Sequence, residues 1–168
     1  TIEGQGGTDR MVFNGSAAGE IIDVSANGGR VRLTRNVGGI TMDLDDVERL
    51  DVNAFGGTDT VSAGDLSGTD LKTVNINLGT DGLADTVIVT GTNGDDVIDV
   101  FGSGTGYAVV GLHALVNVTG SEGANDSLVV NALGGNDGLT ATTTPAGVVK
   151  LTLDGGAGND VLLGSQGA

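Results

Sequence analysis

The sequence predicts an all-β protein built as a right-handed parallel β-solenoid, with coils of about 25 residues. Three observations predict it: short β-rich runs, glycine turns that recur at coil-length intervals, and the lack of any sustained helical period. Gly supplies 32 of the 168 residues and aromatic residues only 2%. This composition suits a thin core of stacked aliphatic side chains, because large rings are too few to fill a globular core.

The predicted strands favour Val, Ile, Leu and Thr and often alternate apolar with polar residues. Residues 74–78, Val-Asn-Ile-Asn-Leu, are typical, since a period of two indicates a strand with one buried face. In chain order the predicted strands span residues 10–13, 20–25, 31–34, 40–44, 49–55, 60–63, 71–78, 86–90, 97–101, 107–112, 115–119, 127–133, 148–153 and 161–163.

Aspartate-centred turns rich in glycine separate many of these strands. An apolar residue stands two positions after each of these aspartates, so each turn leads into a strand with a buried side chain. Glycine also permits the positive φ angles that can point backbone carbonyls inward. The turn aspartates are Asp9, Asp59, Asp85, Asp96, Asp126, Asp137 and Asp160.

A longer repeat lies over these turns. Residues 52–59 reappear as residues 130–137, shifted by 78 positions (130 − 52). Asp9, Asp85 and Asp160 are 76 and 75 residues apart (85 − 9 and 160 − 85). We therefore predict one array over residues 1–168, with two large internal repeats at about 9–84 and 85–159.

The predicted coil length comes from two shorter spacings between turn aspartates. Asp59 and Asp85 are 26 residues apart (85 − 59), and Asp137 and Asp160 are 23 apart (160 − 137). We expect these aspartates to stack as neighbours, with Arg35 opposite Asp9 where an aspartate is missing from the column. A second acidic column is expected through Glu20, Asp46, Asp70, Asp96 and Glu122.

The most regular turn is 155–163, Gly-Gly-Ala-Gly-Asn-Asp-Val-Leu-Leu, which matches G-G-x-G-x-D-x-U-x at every position, where U is a large apolar residue. On this motif the chain resembles the RTX (repeats-in-toxin), or hemolysin-type calcium-binding repeat, family of secreted bacterial proteins. The resemblance implies a β-helix or β-roll, export by type I secretion, and an extracellular or cell-surface location.

The resemblance also implies Ca²⁺ as the cofactor, with each turn supplying half a site and the turn on the next coil the rest. Carried over to this chain, the last turn offers Asp160 and the carbonyls of Gly155, Gly156 and Gly158. The expected sites pair Asp137 with Asp160 and Asp59 with Asp85. The complete set of candidate ligands is Asp160, Gly155, Gly156, Gly158, Asp137, Gly135, Asp85, Asp59, Asp96, Asp9 and Asp126. The alternative for each turn is a metal-free Asx turn that caps a strand.

The charge of the chain bears on its partners. The formal net charge is −15, with seven Lys and Arg residues against 22 acids. Nucleic-acid binding requires a basic footprint, so it is excluded from the expected functions, and no apolar run is long enough for membrane insertion. Stacked carboxylates repel one another, so we expect Ca²⁺ binding to supply folding energy.

The sequence offers little for catalysis. His113 is the single histidine and there is no Cys, which removes thiol nucleophiles and Cys-ligated zinc. Paired acids such as Asp45 and Asp46 lack the basic and aromatic residues that usually line a sugar-cleaving groove. We predict that the protein is not an enzyme.

Two functional hypotheses remain open. The first is a calcium-binding extracellular structural module, such as an adhesin, matrix or fibre component, that associates with itself end to end because neither end of the array carries a cap. The second is a carbohydrate-binding or accessory module of a polysaccharide-modifying β-helix enzyme, with extracellular polysaccharide as the partner.

Overall fold

The computed structural model describes residues 1–166, and these residues form an all-β protein with one short 3₁₀ turn at Val37–Gly39. The strands are β1 (Ile2–Glu3), β2 (Arg10–Ser16), β3 (Ile21–Asn27), β4 (Arg30–Arg35), β5 (Ile40–Asp45), β6 (Arg49–Phe55), β7 (Thr60–Ala63), β8 (Thr73–Asn77), β9 (Thr86–Thr90), β10 (Val97–Ser103), β11 (Gly106–Val110), β12 (Leu115–Thr119), β13 (Ser127–Asn131), β14 (Gly138–Thr143), β15 (Lys150–Asp154) and β16 (Val161–Leu163).

These strands form two eight-stranded sheets. The first sheet has the order β1-β5-β4-β3-β7-β9-β13-β15, and the second has the order β2-β6-β8-β12-β11-β10-β14-β16. Neighbouring strands are parallel except at β4 and β11, which pair antiparallel on both sides. The all-β prediction is therefore confirmed, with two parallel-rich sheets.

Every strand predicted from the sequence overlaps an observed strand. Five of them have both bounds as predicted: Arg49–Phe55, Thr60–Ala63, Thr86–Thr90, Leu115–Thr119 and Val161–Leu163. The short strand β1 and the strand β14 were not predicted. In β14 the inward positions hold Leu139 and Ala141 among Thr residues, so its apolar alternation is weak.

Two antiparallel excursions interrupt the parallel pattern. β3, β4 and β5 run up, down and up within the first sheet, and β10, β11 and β12 do the same in the second. Gly28 (φ 67°) and Gly104 (φ 61°) lie in the tight turns that begin these excursions, where a left-handed conformation favours glycine. The sequence had indicated parallel strands throughout.

The excursions also divide the coil lengths into two classes. Stacked acidic positions are separated by 26 and 23 residues at two steps. Other steps span 39 or 41 residues, because an excursion lies between the stacked positions. The expected step of about 25 residues therefore describes only the uninterrupted coils.

The strand pairing of the first half recurs in the second half. The pairs β2–β6, β3–β7, β6–β8 and β7–β9 correspond to β9–β13, β10–β14, β13–β15 and β14–β16. Each corresponding strand lies in the opposite sheet. The two halves thus have the same strand pairing, but a strand of the first sheet in one half corresponds to a strand of the second sheet in the other, and the reverse.

Both sheets contribute inward side chains to one hydrophobic cluster. In the first sheet Ile22, Val61, Val87 and Leu128 stand in register across β3, β7, β9 and β13, and each is 0% exposed. Full burial of such a side chain contributes about 1.5–3 kcal/mol relative to exposure. These ladders fix the register of the strands, and the register places the acidic turns that precede them.

Candidate functional site

Acidic residues that directly precede strands form two stacks. In the first stack, Glu20, Asp59, Asp85 and Asp126 precede four adjacent strands of the first sheet, β3, β7, β9 and β13. In the second stack, Asp96, Asp137 and Asp160 precede β10, β14 and β16 of the second sheet. Parallel strands held in register bring these positions into line, about 4.8 Å apart.

Each stack is a ladder of carboxylate-to-amide hydrogen bonds. The backbone N–H of Asp59 donates to Oδ1 of Asp85 (2.8 Å), and the N–H of Asp85 donates to Oδ1 of Asp126 (3.0 Å). In the second stack the N–H of Asp137 donates to Oδ1 of Asp160 (2.9 Å). The bonds Glu20 N–H to Asp59 Oδ1 (2.8 Å) and Asp96 N–H to Asp137 Oδ1 (2.7 Å) complete the ladders.

The acids fall into two groups that differ in whether the second carboxylate oxygen accepts a hydrogen bond. In one group it accepts a backbone N–H from the acid's own turn. Thr92 donates to Asp96 Oδ2 (2.7 Å), Glu122 donates to Asp126 Oδ2 (2.7 Å), and Ser16 donates to Glu20 Oε2 (3.1 Å). These acids have both oxygens satisfied, as the metal-free capping alternative requires.

In the other group the second oxygen has no partner. The Oδ2 atoms of Asp9, Asp59 and Asp137 are buried and accept no hydrogen bond from the described residues. Asp59 is 0% exposed and Asp137 is 2% exposed. All three belong to turns of the form Gly-Gly-x-Asp, at 6–9, 56–59 and 134–137. A buried, unpaired carboxylate oxygen requires a proton or a cation.

Burial and like charge perturb the first stack. Burial and, to a smaller extent, the neighbouring carboxylates of Asp126, Asp59 and Asp81 raise the pKa of Asp85 to about 6, against the opposing hydrogen bond from the N–H of Asp59. Burial also raises the pKa of Asp59, against the opposing hydrogen bond from the Glu20 N–H, and the charges of Glu20 and Asp81 add to the increase. Ionisation of Asp59 and Asp85 is therefore less favourable than in water, and a nearby cation would offset this cost.

Two of the three pairs of residues expected to be neighbours are adjacent in the structure. Asp59 lies next to Asp85 and Asp137 next to Asp160. Asp9 does not face Arg35: its N–H donates to Oε2 of Glu48 (2.6 Å), while Arg35 lies 3.4 Å from Oε1 of Glu20. The reason is the β3–β5 excursion, which places Arg35 within the first sheet while Asp9 precedes a strand of the second.

The second acidic column expected from the sequence is divided between different places. Glu20 lies in the first stack and Asp96 in the second. Oxygen atoms of Asp45, Asp46 and Asp70 all lie within 4.8 Å of one another, an arrangement that could hold a metal ion. Burial raises the pKa of Asp46, and the charges of Asp45 and Asp70 add to this. Sequence spacing had suggested Asp46 and Asp70 as neighbours but did not indicate Asp45.

The candidate glycine ligands meet at the last turn. A Cβ on Gly158 would lie 1.6 Å from the carbonyl oxygen of Gly135, and one on Gly156 would lie 2.0 Å from the carbonyl oxygen of Leu133. A Cβ on Gly155 would lie 2.6 Å from Oδ2 of Asp160. The turns at 134–137 and 155–160 are therefore in backbone contact, and only glycine fits between them.

The single histidine has local structural partners. Nε2 of His113 lies 3.0 Å from Nζ of Lys72 and 2.9 Å from the carbonyl oxygen of Thr69. These contacts join the connection before β8 to the connection before β12.

Polar side chains also form ladders on the outer face of the second sheet. Asn117 donates to Asn75 (2.9 Å), and Asn75 donates to Oδ1 of Asp51 (2.6 Å), which also pairs with Arg49. Burial would raise the pKa of Asp51, but its hydrogen bonds from Arg49, Asn75 and Arg10 outweigh this and lower it to about 2. These residues line a groove of about 160 Å³. The sequence reasoning did not identify this groove, although the outward Asn positions were visible in the alternation.

Within residues 1–166 no helix is long and apolar enough to cross a membrane. Comparisons of the chain with protein-family models, with curated proteins and with solved structures found no match.

Proposed function

We propose that this protein is a calcium-binding extracellular structural module that is folded or stabilised by Ca²⁺ at its Gly-Gly-x-Asp turns. Its role in this proposal is that of an adhesin, matrix or fibre component and not that of an enzyme. The similarity of 155–163 to RTX repeats motivates the secreted or cell-surface location and type I export.

One observation carries the calcium proposal. Asp9, Asp59 and Asp137 each bury a carboxylate oxygen that has no hydrogen-bond partner among the described residues. Two acids whose turns lack the Gly-Gly-x-Asp form have partners for both oxygens: Asp126 accepts the backbone N–H groups of Asp85 and Glu122, and Asp96 accepts the backbone N–H and the hydroxyl of Thr92. The unsatisfied buried oxygens thus coincide with the Gly-Gly-x-Asp turn sequence.

The chemistry of the donor set fits Ca²⁺. Carboxylate and backbone carbonyl oxygens are hard ligands, and flexible carbonyl-rich turns suit Ca²⁺ better than the smaller Mg²⁺. When bound, the ion supplies positive charge that converts repulsion within the stacks into attraction. An affinity of roughly 10⁻⁴–10⁻³ M is sufficient outside a cell.

The finer fold assignment belongs to the same proposal. We interpret the two sheets as the faces of a right-handed β-solenoid whose regular coils are interrupted by the β3–β5 and β10–β12 excursions. Alternation of successive strands between the sheets supports this, as in β6, β7, β8 and β9. The uninterrupted steps of 26 and 23 residues agree with the expected coil length.

Thermal unfolding tests the calcium proposal. Circular dichroism is measured in EDTA, in millimolar Ca²⁺ and in millimolar Mg²⁺. Because Tyr107 is buried and is the only Tyr in a chain without Trp, its fluorescence provides an independent probe. We expect Ca²⁺ to raise the melting temperature in both probes and Mg²⁺ to have little effect. An identical melting temperature in EDTA and Ca²⁺ would contradict the proposal.

A second candidate function is favoured by the groove on the outer face of the second sheet. Side chains of Arg10, Arg49, Asn75 and Asn117 present amide and guanidinium donors there in rows spaced by the strand separation. Such planar hydrogen-bonding groups suit sugar hydroxyls and carboxylates, so a carbohydrate-binding or accessory module is the alternative. Binding to a glycan array that is lost on Asn75→Ala and Asn117→Ala substitution would support it. An array without signal would remove it.

A further inference from the structure

Four adjacent strands of the second sheet differ in charge from the rest of the chain. The strands β2, β6, β8 and β12 contain two bases, Arg10 and Arg49, and one acid, Asp51. Their net charge is +1 (2 − 1), whereas the whole chain has a net charge of −15. The acids Asp9 and Glu48 directly precede β2 and β6, but at the parity of the inward side chains. We call the outward side chains of these four strands the amide face.

The outer face of the first sheet has the opposite character. Its outward positions include Asp23 of β3 and Asp43 and Asp45 of β5. The charge of the amide face is therefore a property of one sheet and does not follow from the composition of the chain.

Two arginines lie side by side on the amide face. Arg10 of β2 stands directly opposite Arg49 of β6, and like charges at paired positions disfavour a sheet. Asp51 offsets this repulsion: Oδ1 accepts from Nε of Arg49 (2.8 Å), Oδ2 accepts from Nη2 of Arg49 (3.1 Å), and Oδ2 also pairs with Nε of Arg10. One carboxylate thus neutralises one of two guanidinium groups, and one positive charge remains.

Both guanidinium groups keep free donors. The side chains of Arg10 and Arg49 are 57% and 50% exposed, while that of Asp51 is 10% exposed. Within residues 1–166, Nη1 and Nη2 of Arg10 and Nη1 of Arg49 donate no hydrogen bond. Guanidinium donors match the oxygens of an anionic group in a bidentate way. The groove of about 160 Å³ leaves room for such a group beside them.

The amide face lies in the middle of its sheet. β6, β8 and β12 each have a hydrogen-bonded strand on both sides. The exposure of Arg49 and of the asparagines beside it therefore does not depend on what lies beyond the outermost strands.

Asparagine side chains continue the face beside the arginines. Asn75 and Asn117 stand in register with Asp51, and Asn77 stands in register with Asn53. Among the described residues, Oδ1 of Asn53, Nδ2 of Asn77 and Oδ1 of Asn117 make no hydrogen bond. Amides both donate and accept, as sugar hydroxyls do, and these amides recur at about 4.8 Å from strand to strand.

We propose that the amide face binds an anionic polysaccharide, whose carboxylate or sulfate groups lie against Arg10 and Arg49 while its hydroxyls pair with the asparagine rows. The inference rests on the carbohydrate-binding alternative above and names its class of ligand. It also gives the proposed adhesin or matrix role a partner, and it does not require calcium.

The charge of the face favours a polysaccharide over other anionic polymers. A net charge of +1 over four strands is too small for nucleic acid, whose affinity comes from many phosphate contacts. An acidic peptide offers carboxylates to the arginines but no hydroxyls to the asparagine rows.

Titration calorimetry in EDTA tests the class of ligand. The probes are oligogalacturonate, its methyl ester, dextran sulfate and dextran, so that each charged glycan has an uncharged counterpart with the same backbone. EDTA removes Ca²⁺, which would itself bridge carboxylates. We expect saturable binding of at least one charged glycan, at least about tenfold tighter than that of its counterpart. The tighter of the two charged glycans identifies the group as carboxylate or sulfate.

Glutamine substitutions test the site. Arg49→Gln and Arg10→Gln should each weaken binding of the charged glycan by at least about tenfold, because each removes guanidinium donors. Arg32→Gln is the matched control: it makes the same change of charge at an exposed position on the outer face of the first sheet. It should leave the affinity within about twofold. Circular dichroism first shows that each variant keeps the natural fold, and Arg10→Gln carries the test if Arg49→Gln does not fold.

The outcomes separate this inference from the functions proposed above. Equal binding of charged and uncharged glycans that is lost on Asn75→Ala and Asn117→Ala substitution would overturn the anionic class but support a carbohydrate-binding module. Equal effects of Arg32→Gln and Arg49→Gln, or binding of polyglutamate as tight as that of oligogalacturonate, would reduce the interaction to general charge attraction and overturn the site. No binding of any glycan would overturn both. The effect of Ca²⁺ on melting is measured separately and decides the calcium proposal alone.

Discussion

The hydrogen bonding of the second carboxylate oxygen distinguishes the turn aspartates that we propose to bind Ca²⁺ from those that cap a turn. Both oxygens of Asp96 accept hydrogen bonds from Thr92, Oδ2 from the backbone N–H and Oδ1 from the hydroxyl, so its charge is already stabilised. Asp59 and Asp137 use one oxygen in the same way and bury the other without a partner. Since an unsatisfied buried polar group costs about 1–3 kcal/mol, and more when it is charged, a cation has most to contribute at these aspartates.

Asparagine substitutions separate the two groups. We expect Asp59→Asn and Asp137→Asn each to stabilise the protein by about 1–3 kcal/mol in EDTA, because each removes an uncompensated buried charge. In Ca²⁺ the same variants should lose part of the stabilisation that the natural chain gains. Urea unfolding with and without Ca²⁺ gives both quantities.

Asp96→Asn is the matched control, because Asp96 belongs to the second stack but both of its oxygens already accept hydrogen bonds from Thr92. It should be destabilised in EDTA by the loss of charge-assisted bonds and should keep its response to Ca²⁺. Loss of the Ca²⁺ response in Asp96→Asn but not in Asp59→Asn would contradict the assignment.

The raised pKa of Asp85 predicts a pH dependence. The folded state holds this proton up to about pH 6, whereas the unfolded chain releases it near its ordinary pKa of about 3.9. Between these values the folded state binds more protons, so in EDTA this group makes the protein more stable as the pH falls from 7 towards 5.

Asp85→Asn should flatten this slope in urea unfolding. The lowered pKa of Asp51, about 2, acts in the opposite direction but only below about pH 4, outside this window. A slope that is unchanged in Asp85→Asn would show that another group is responsible.

At the scale of the strand, register connects the core to the acidic stacks. Leu128 of β13 stands between Val87 of β9 and Leu151 of β15, and Asp126 lies two residues before it. The strand bounds were predictable because alternation of apolar residues reports directly on burial. The same pattern does not indicate which sheet a strand joins, so the position of each turn in the stacks was harder to predict from the sequence.

Two examples show this limit. The adjacency of Asp59 and Asp85 follows from a 26-residue step without an excursion. The adjacency of Glu20 and Asp59 spans 39 residues, because the chain first forms β4 and β5 within the same sheet. Hairpin turns such as 27–30 have local signals, but no local signal states that the hairpin adds to the sheet instead of continuing the coil. The unpaired oxygens depend on three-dimensional contacts and could not be predicted from spacing.

A core substitution tests the register at this scale. Leu128→Ala removes a side chain that is 0% exposed, and we expect a loss of about 2–5 kcal/mol in the free energy of unfolding. Leu163→Ala, at a 52% exposed position, should change the stability by less than about 0.5 kcal/mol. Equal effects in urea unfolding would contradict the packing of β13 described above.

At the scale of the whole molecule, the two halves repeat the same strand pairing with the two sheets exchanged. Acidic residues directly precede strands of both sheets, and the chain has a net charge of −15. A high net charge of one sign disfavours the compact state through self-repulsion. Divalent cations bound at the turns would reduce this repulsion at the positions where the carboxylates are stacked.

The central claim, that the Gly-Gly-x-Asp turns bind calcium, is tested most directly by isothermal titration of the chain with CaCl₂. The account predicts saturable binding of about three ions, one for each unpaired buried oxygen of Asp9, Asp59 and Asp137. The double variant Asp59→Asn with Asp137→Asn should reduce the stoichiometry by two, and Asp96→Asn should leave it unchanged. No heat of binding at millimolar Ca²⁺, or the same stoichiometry in the double variant, would contradict the account.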